Sequence, residues 1–171
     1  MELKIRRAVV EDSVAIAHVH VDSWRSTYAG IIPDAFLASL SIEERAAVWK
    51  DVIDSGGTAF FVAESGPGIF GFACGGKLRD AIDGYDSELY AIYLLREHQR
   101  FGAGRLLFQA LADALRAEGF ASLAVWVLEE NPAVSFYRHL GGVLIARKSI
   151  EIGGTTLTEL AYGWLALDTK F

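Results

Sequence analysis

The sequence predicts an α/β domain: one mixed central sheet with flanking helices, taking up residues 1–171 as a single unit. Three observations carry this reading. Segments of strand and helix character follow in the order strand, helices, three strands, helix, strand, helix and two closing strands. Turn signals at Ser65-Gly66-Pro67-Gly68 and at Gly153-Gly154 place a hairpin early and another late, which argues against a wholly parallel doubly wound sheet. The 171 residues are 52% hydrophobic and 22% charged, the balance of a globular chain with one real core.

The elements follow in order. Lys4 to Val9 reads as a first strand. Glu11-Asp12 puts acids at the start of a helix reaching Trp24, with Val14, Ala17, Val21 and Trp24 at helical spacing. Tyr28 to Pro33 breaks the pattern before a short helix with Phe36, Leu37 and Leu40. Ser41 to Glu44 has capping-box spacing for the next helix, whose apolar side is Ala46, Trp49, Val52 and Ile53. Gly56-Gly57 stops it.

Thr58 to Glu64 and Ile69 to Leu78 flank the first hairpin turn, and a polar loop leads to a third strand over Glu88 to Leu94. Gly102 to Ala117 is a strong helix, with Leu107, Ala110, Leu111, Ala114 and Leu115 on one side. Ser122 to Val127 reads as a strand, and Pro132 to Leu140 as a helix opened by proline. Leu144 to Ile152 and Thr155 to Leu167 form the closing hairpin.

Bulk properties limit the functional classes. No apolar run reaches the roughly 18 residues of a membrane span, and Met1 to Ile5 lacks the layout of a signal peptide. The single cysteine, Cys74, cannot form an internal disulfide, and its apolar strand marks it as a buried packing thiol. A cytoplasmic protein is expected. The formal net charge of −6 disfavours nucleic acid and favours neutral or cationic partners. Arg96, Arg100 and Arg105 form a local basic patch against that background.

That patch surrounds the most informative segment. The strand Leu89 to Leu94 is followed by Gln99-Arg100-Phe101-Gly102-Ala103-Gly104 and then the long helix. A helix start offers unpaired N–H groups and positive partial charge, and glycine lets a phosphate approach the backbone. Arg100 and Arg105 add charge. No Gly-Lys-Ser or Gly-Lys-Thr is present, so a P-loop is excluded. A Rossmann fingerprint needs a third glycine where Leu107 stands.

Gln99-x-x-Gly102-x-Gly104 after an Ile-Tyr-Leu strand resembles the acetyl-coenzyme A loop of the GNAT superfamily of N-acetyltransferases. A second family signature is matched by Asn131-Pro132-Ala133-Val134-Ser135-Phe136-Tyr137-Arg138-His139-Leu140-Gly141. The element order matches that fold from Ile5 to Leu167. Two departures, Leu94-Leu95-Arg96 in place of valine-x-proline and Val143 in place of an aromatic residue, bear on subfamily rather than on the loop.

The resemblance implies acetyl-CoA as cosubstrate and direct attack of an amine on its thioester, within a GNAT-type (acyl-CoA N-acyltransferase) fold. It assigns the pyrophosphate to the amides of Gln99, Arg100, Phe101, Gly102, Ala103, Gly104 and Arg105. The pantetheine arm falls to the backbone of Ile92 and Leu94, and the thioester oxygen to the Leu94 N–H. Asn131 and Ser135 are lesser cofactor contacts. Tyr137 matches the general acid, and Glu88 matches the carboxylate many relatives use as base; Glu130, His98 and His20 are weaker alternatives. Trp24 and Tyr28 lie where acceptors bind, able to cage a cation. A small-molecule amine acceptor and a homodimer are implied, without membrane or metal. Acetylation of a protein N-terminus or lysine, or a coenzyme A sensor without turnover, are the competing readings.

Overall fold

The order of elements expected from the sequence is the order found in the structure, a computed structural model that describes residues 2–171. The strands are β1 (Leu3–Arg7), β2 (Ala59–Ser65), β3 (Gly68–Lys77), β4 (Ser87–Leu94), β5 (Leu123–Leu128), β6 (Val143–Ile152) and β7 (Thr155–Trp164). The helices are α1 (Ser13–Thr27), α2 (Asp34–Ser39), α3 (Ile42–Ser55), α4 (Ala103–Ala117) and α5 (Ala133–His139). All seven strands join one sheet in the order β1-β2-β3-β4-β5-β7-β6. Every neighbouring pair is antiparallel except β4 and β5.

Alternation of side chains gives each face of the sheet its own layer. On one face α4 buries Leu107, Phe108, Leu111 and Leu115 against Leu89, Val125, Leu160 and Tyr162. On the other, α1 and α3 bury Ile16, Val19 and Trp49 against Phe60, Val62, Phe72 and Cys74. Cys74 is fully buried, and that burial pushes its thiol up to about 12. The Ser41 side chain accepts from the Glu44 N–H, as the capping spacing requires.

One detail of α1 departs from expectation. Val14 is 57% exposed, and the buried stripe runs instead through Ile16, Ala17, Val19, His20 and Val21. The helix is wedged between the sheet and α3, so it buries a wider arc than a surface helix does.

Two features shape the middle of the sheet. The parallel ladder between β4 and β5 comprises only Glu88↔Ala124 and Leu89↔Val125, after which the strands diverge. Their near ends are pinned, because the Asp86 carboxylate accepts from the N–H groups of Ala121 and Ser122 and from the Ser122 hydroxyl, each at 2.9 Å. Between β3 and β4, Cys74 pairs with Ala91 but Gly75 with Leu89, so Tyr90 is an extra, bulged residue. A Cβ at Gly75 would lie 2.5 Å from the Glu88 carbonyl oxygen, so only glycine permits this approach. Pinned at one end and bulged beside the break, β4 swings away from β5 and opens a V.

Candidate active site

A cleft of about 1060 Å³ fills the V and passes through the sheet, lined by both diverging strands and by α1, α4 and α5. In the antiparallel ladder the Leu95 N–H donates to the Phe70 carbonyl of β3 at 2.9 Å. Strict alternation from that bond turns the amides of Ile92 and Leu94 away from β3, toward the gap β5 has left.

Beyond β4 the chain makes a 3₁₀ turn over Arg96–His98 and reaches α4 through residues in alternating backbone conformations. Arg100 has φ +69° and Gly102 φ +86°. Left-handed residues spaced this way turn successive N–H groups into one concavity, a ready anion nest. Arg100 is the one non-glycine residue with positive φ among the described residues, so it holds a conformation that side chains ordinarily resist. The first bond of α4 runs from the Leu106 N–H to the Gly102 carbonyl. Among the described residues the amides of 100–105 therefore have no acceptor in the chain.

The expected loop residues separate into groups. Arg100, Gly102, Gly104 and Arg105 line the cleft. Phe101 is 79% exposed and Ala103 is buried in the α4 core, so these two present backbone only. Gln99 is occupied at both ends: its N–H donates to the Arg96 carbonyl, and its side chain donates to the Leu94 carbonyl at 3.0 Å. It braces the loop against β4. The Arg105 Nε donates to the Phe171 carbonyl at 2.5 Å, tying this guanidinium to the C-terminal segment.

On α5, Tyr137 is buried beside Phe136 and Trp164 yet lines the cleft, and its hydroxyl makes no hydrogen bond within the described chain. Burial, with the nearby Tyr28 adding to it, raises its pKa, so it stays protonated at neutral pH. Ser135 lines the cleft as well. Asn131 uses its carbonyl to cap α5 through the Ala133 N–H and its amide to hold the Tyr28 hydroxyl at 3.0 Å. It thereby joins the start of α5 to the end of α1.

Trp24 and Tyr28 form one wall, packed edge to face with ring centroids 4.9 Å apart. Behind them His20 stacks on Tyr93 and accepts from the Trp49 indole N–H at 3.1 Å. Burial lowers its pKa to about 4, so His20 is a neutral buttress. Glu88 sits elsewhere than expected. It is 2% exposed and does not line the cleft, and Arg79 grips its carboxylate through the backbone N–H, Nε and Nη2. The same guanidinium lies over the Tyr90 ring, 4.4 Å from its centroid.

Two cleft residues had no motif to announce them. Trp126 of β5 lies on the α1 side of the sheet with the Lys148 ammonium 4.0 Å above its ring. Glu159 of β7 pairs in register with Leu128 and is the one carboxylate lining the cleft. The available signal was a charge inside an otherwise apolar strand, Leu157 to Trp164.

Comparisons with known proteins bear on the geometry directly. The sequence model of the Acetyltransferase (GNAT) family matches residues 19–141, from the middle of α1 to the end of the α5 signature. The chain belongs to the GNAT acetyltransferase family. It is 47% identical to YuaI of Bacillus subtilis (strain 168), an uncharacterized N-acetyltransferase, over 94% of this chain and 91% of that protein. The fold resembles a ribosomal-protein-alanine N-acetyltransferase from Brucella melitensis, with a TM-score of 0.75 at 23% identity, covering 95% of this chain and 99% of that one. It also resembles the PaiA N-acetyltransferase from Thermoplasma acidophilum in complex with coenzyme A, with a TM-score of 0.69 at 22% identity over 94% and 98% of the two chains. This GNAT protein has a mixed sheet of seven strands, no helix among its described residues long and apolar enough to cross a membrane, and no described cluster of metal ligands.

Proposed function

We infer that this GNAT protein transfers the acetyl group of acetyl-coenzyme A to a primary amine of a small molecule, by direct attack within a ternary complex. The observation that carries the reading is the run of unpaired amides at residues 100–105, set beside the gap where β4 leaves β5. Those amides, with Arg100 and the positive end of α4, suit a diphosphate. The Ile92 and Leu94 amides suit an extended amide arm lying in place of the missing strand, which is the shape of pantetheine.

Acetyl-coenzyme A supplies the activated acyl group, and the chain does the rest. The Leu94 N–H faces the site of the developing oxyanion and stabilises it without reorganising. Tyr137, kept protonated by burial, donates its proton to the departing sulfur. Phe101, Ala103 and Gln99 act through backbone and bracing, while Asn131 and Ser135, which line the cleft at the start of α5, are lesser contacts for the cofactor. Glu88, locked to Arg79, holds that arginine over Tyr90.

The acceptor lies on the α1 face between Trp24, Tyr28 and Trp126. The negative net charge supports a cationic acceptor and argues against nucleic acid. The reading extends to a cytoplasmic homodimer, supported by the reduced, buried Cys74 and by the exposed Val143 and Leu144 on edge strand β6; light scattering on the purified protein tests the dimer. Thiol release from acetyl-coenzyme A with a panel of amines tests the transferase. Tight acetyl-coenzyme A binding without release for any amine, peptide amines included, would replace it with the sensor reading.

A further inference from the structure

On the α1 face of the sheet the cleft carries a second set of groups that the acetyl donor does not need. Trp24, Tyr28, Tyr90, Trp126 and Leu128 give it aromatic and aliphatic walls, and Glu159 stands among them. All the lining cations, Arg96, Arg100 and Arg105, belong to the loop at the start of α4. Glu159 is half-buried, and among the described residues its carboxylate has neither a hydrogen bond nor an ion pair. The charges nearest to it are engaged elsewhere. Arg79 is held by Glu88, and Lys148, its cross-strand neighbour, lies over Trp126 and 3.8 Å from Asp80.

Resting on the transferase reading above, we propose that Glu159 is the acceptor-binding and proton-accepting carboxylate of this enzyme, and that the acceptor is a monoamine on a flat apolar body, of the arylalkylamine class, without an acidic group beside its nitrogen. An unpaired carboxylate among aromatic rings is a counter-charge for one ammonium group. An α-carboxylate, as in an amino acid, would meet Glu159 with both neighbouring cations already committed.

The bound ammonium group gives one proton to the Glu159 carboxylate, and the freed nitrogen lone pair attacks the thioester carbonyl carbon. The C–N bond forms and the C–S bond breaks, with the sulfur taking the proton of Tyr137. The second proton leaving the nitrogen restores Tyr137, and Glu159 returns its proton to solvent. The products are the acetamide, coenzyme A thiol and one released proton. Desolvation raises the Glu159 pKa against the opposing effects of Lys148 and Arg79, and Glu88 adds to the rise; this brings the carboxylate nearer the range of a working base.

The test is Glu159→Gln, an isosteric change that keeps the volume and removes the charge. Calorimetry with acetyl-coenzyme A and steady-state thiol release with 2-phenylethylamine, n-hexylamine, phenylalanine and a Ser-starting peptide are read on parent and variant. The expected result is acetyl-coenzyme A affinity within threefold of the parent, with kcat/KM for 2-phenylethylamine down at least about 30-fold. The variant's binding of 2-phenylethylamine in the presence of coenzyme A should weaken at least tenfold, and phenylalanine should be a poor acceptor for the parent. Parent-like kinetics in the variant would overturn the role of Glu159 and leave the transferase reading standing. Preference for phenylalanine or the peptide would overturn the acceptor class alone. A parent that binds acetyl-coenzyme A but releases thiol with none of them would overturn the transferase reading, and the role of Glu159 with it.

Discussion

The two ends of the cleft are built from different materials. The end at α4 is made of backbone: six unpaired amides, two left-handed residues and a glycine that keeps its surroundings close. The end at α1 is made of side chains from α1, β4, β5 and β7, among them the tryptophans and tyrosines Trp24, Tyr28, Tyr90 and Trp126. A backbone site recognises something every family member shares, because any sequence able to adopt the turn can make it. A side-chain site can be rewritten one residue at a time. The division matches a common donor and a variable acceptor.

Substitutions can separate the two ends, and the largest effect is expected where they meet. Tyr137→Phe should lower kcat by roughly 10²–10⁴-fold while acetyl-coenzyme A affinity stays within threefold; pre-steady-state thiol release measures it, and unchanged turnover would remove the acid from the mechanism. Gly104→Val should act on the donor end alone. A Cβ there already meets Leu94 Cδ1 at 3.2 Å and the Phe136 ring at 3.4 Å, so the branched side chain fills the space before the amides. Donor affinity should fall by at least about 30-fold, near 2 kcal/mol, with the melting temperature little moved. Calorimetry showing parental affinity in a folded variant would break the division.

The acceptor end should answer to acid. His20 buttresses Tyr93 and Trp24 as a neutral ring, with a pKa of about 4 in the fold against 6.5 when free. The unfolded chain binds the extra proton first, so stability is whole above pH 6.5 and falls through the interval down to about pH 4, by roughly 2–3 kcal/mol. Asp12, held low chiefly by its bonds to Arg6, adds a further loss only at lower pH. Urea midpoints against pH should show that order, and a flat profile between pH 6.5 and 4 would contradict it. Gly75→Ala should cost about 1–3 kcal/mol in urea unfolding, because its Cβ collides with the Glu88 carbonyl at the bulge. The smallest effect is expected from Asn131→Ala. Loss of the α5 cap costs about 1 kcal/mol, and release of the Tyr28 hydroxyl should raise KM for the amine while leaving donor affinity alone.

The same division explains what could be read in advance. The sheet order and α4 were legible because periodicity, capping and turn residues are local demands, as Ser41 and the α4 stripe illustrate. The glycine-bearing turn before α4 was legible because its glycines answer to backbone geometry that shows at fixed spacing. Val14 was misread because it falls on the exposed stripe of α1 with His18, Asp22 and Arg25, although its type suits the buried one. Glu88 has the residue type its expected task requires, but Arg79 occupies its carboxylate, and the Gln99 amide expected to face the phosphates is taken by the Arg96 carbonyl. Trp126 and Glu159 escaped notice because they meet only after β5 and β7 pair, more than thirty positions apart in the chain.

The two-residue ladder between β4 and β5 has a thermodynamic consequence. It leaves a seam across the middle of the sheet, with strands β1 to β4 on one side and β5 to β7 on the other, fastened at one end by Asp86. A molecule lying in the seam acts as mortar, supplying cross-links the polypeptide omits, and at a hundred times its Kd it should add about 2.7 kcal/mol to unfolding. Melting curves recorded with candidate donors and amines therefore serve as a screen, in which the two occupants should raise the transition more together than either does alone.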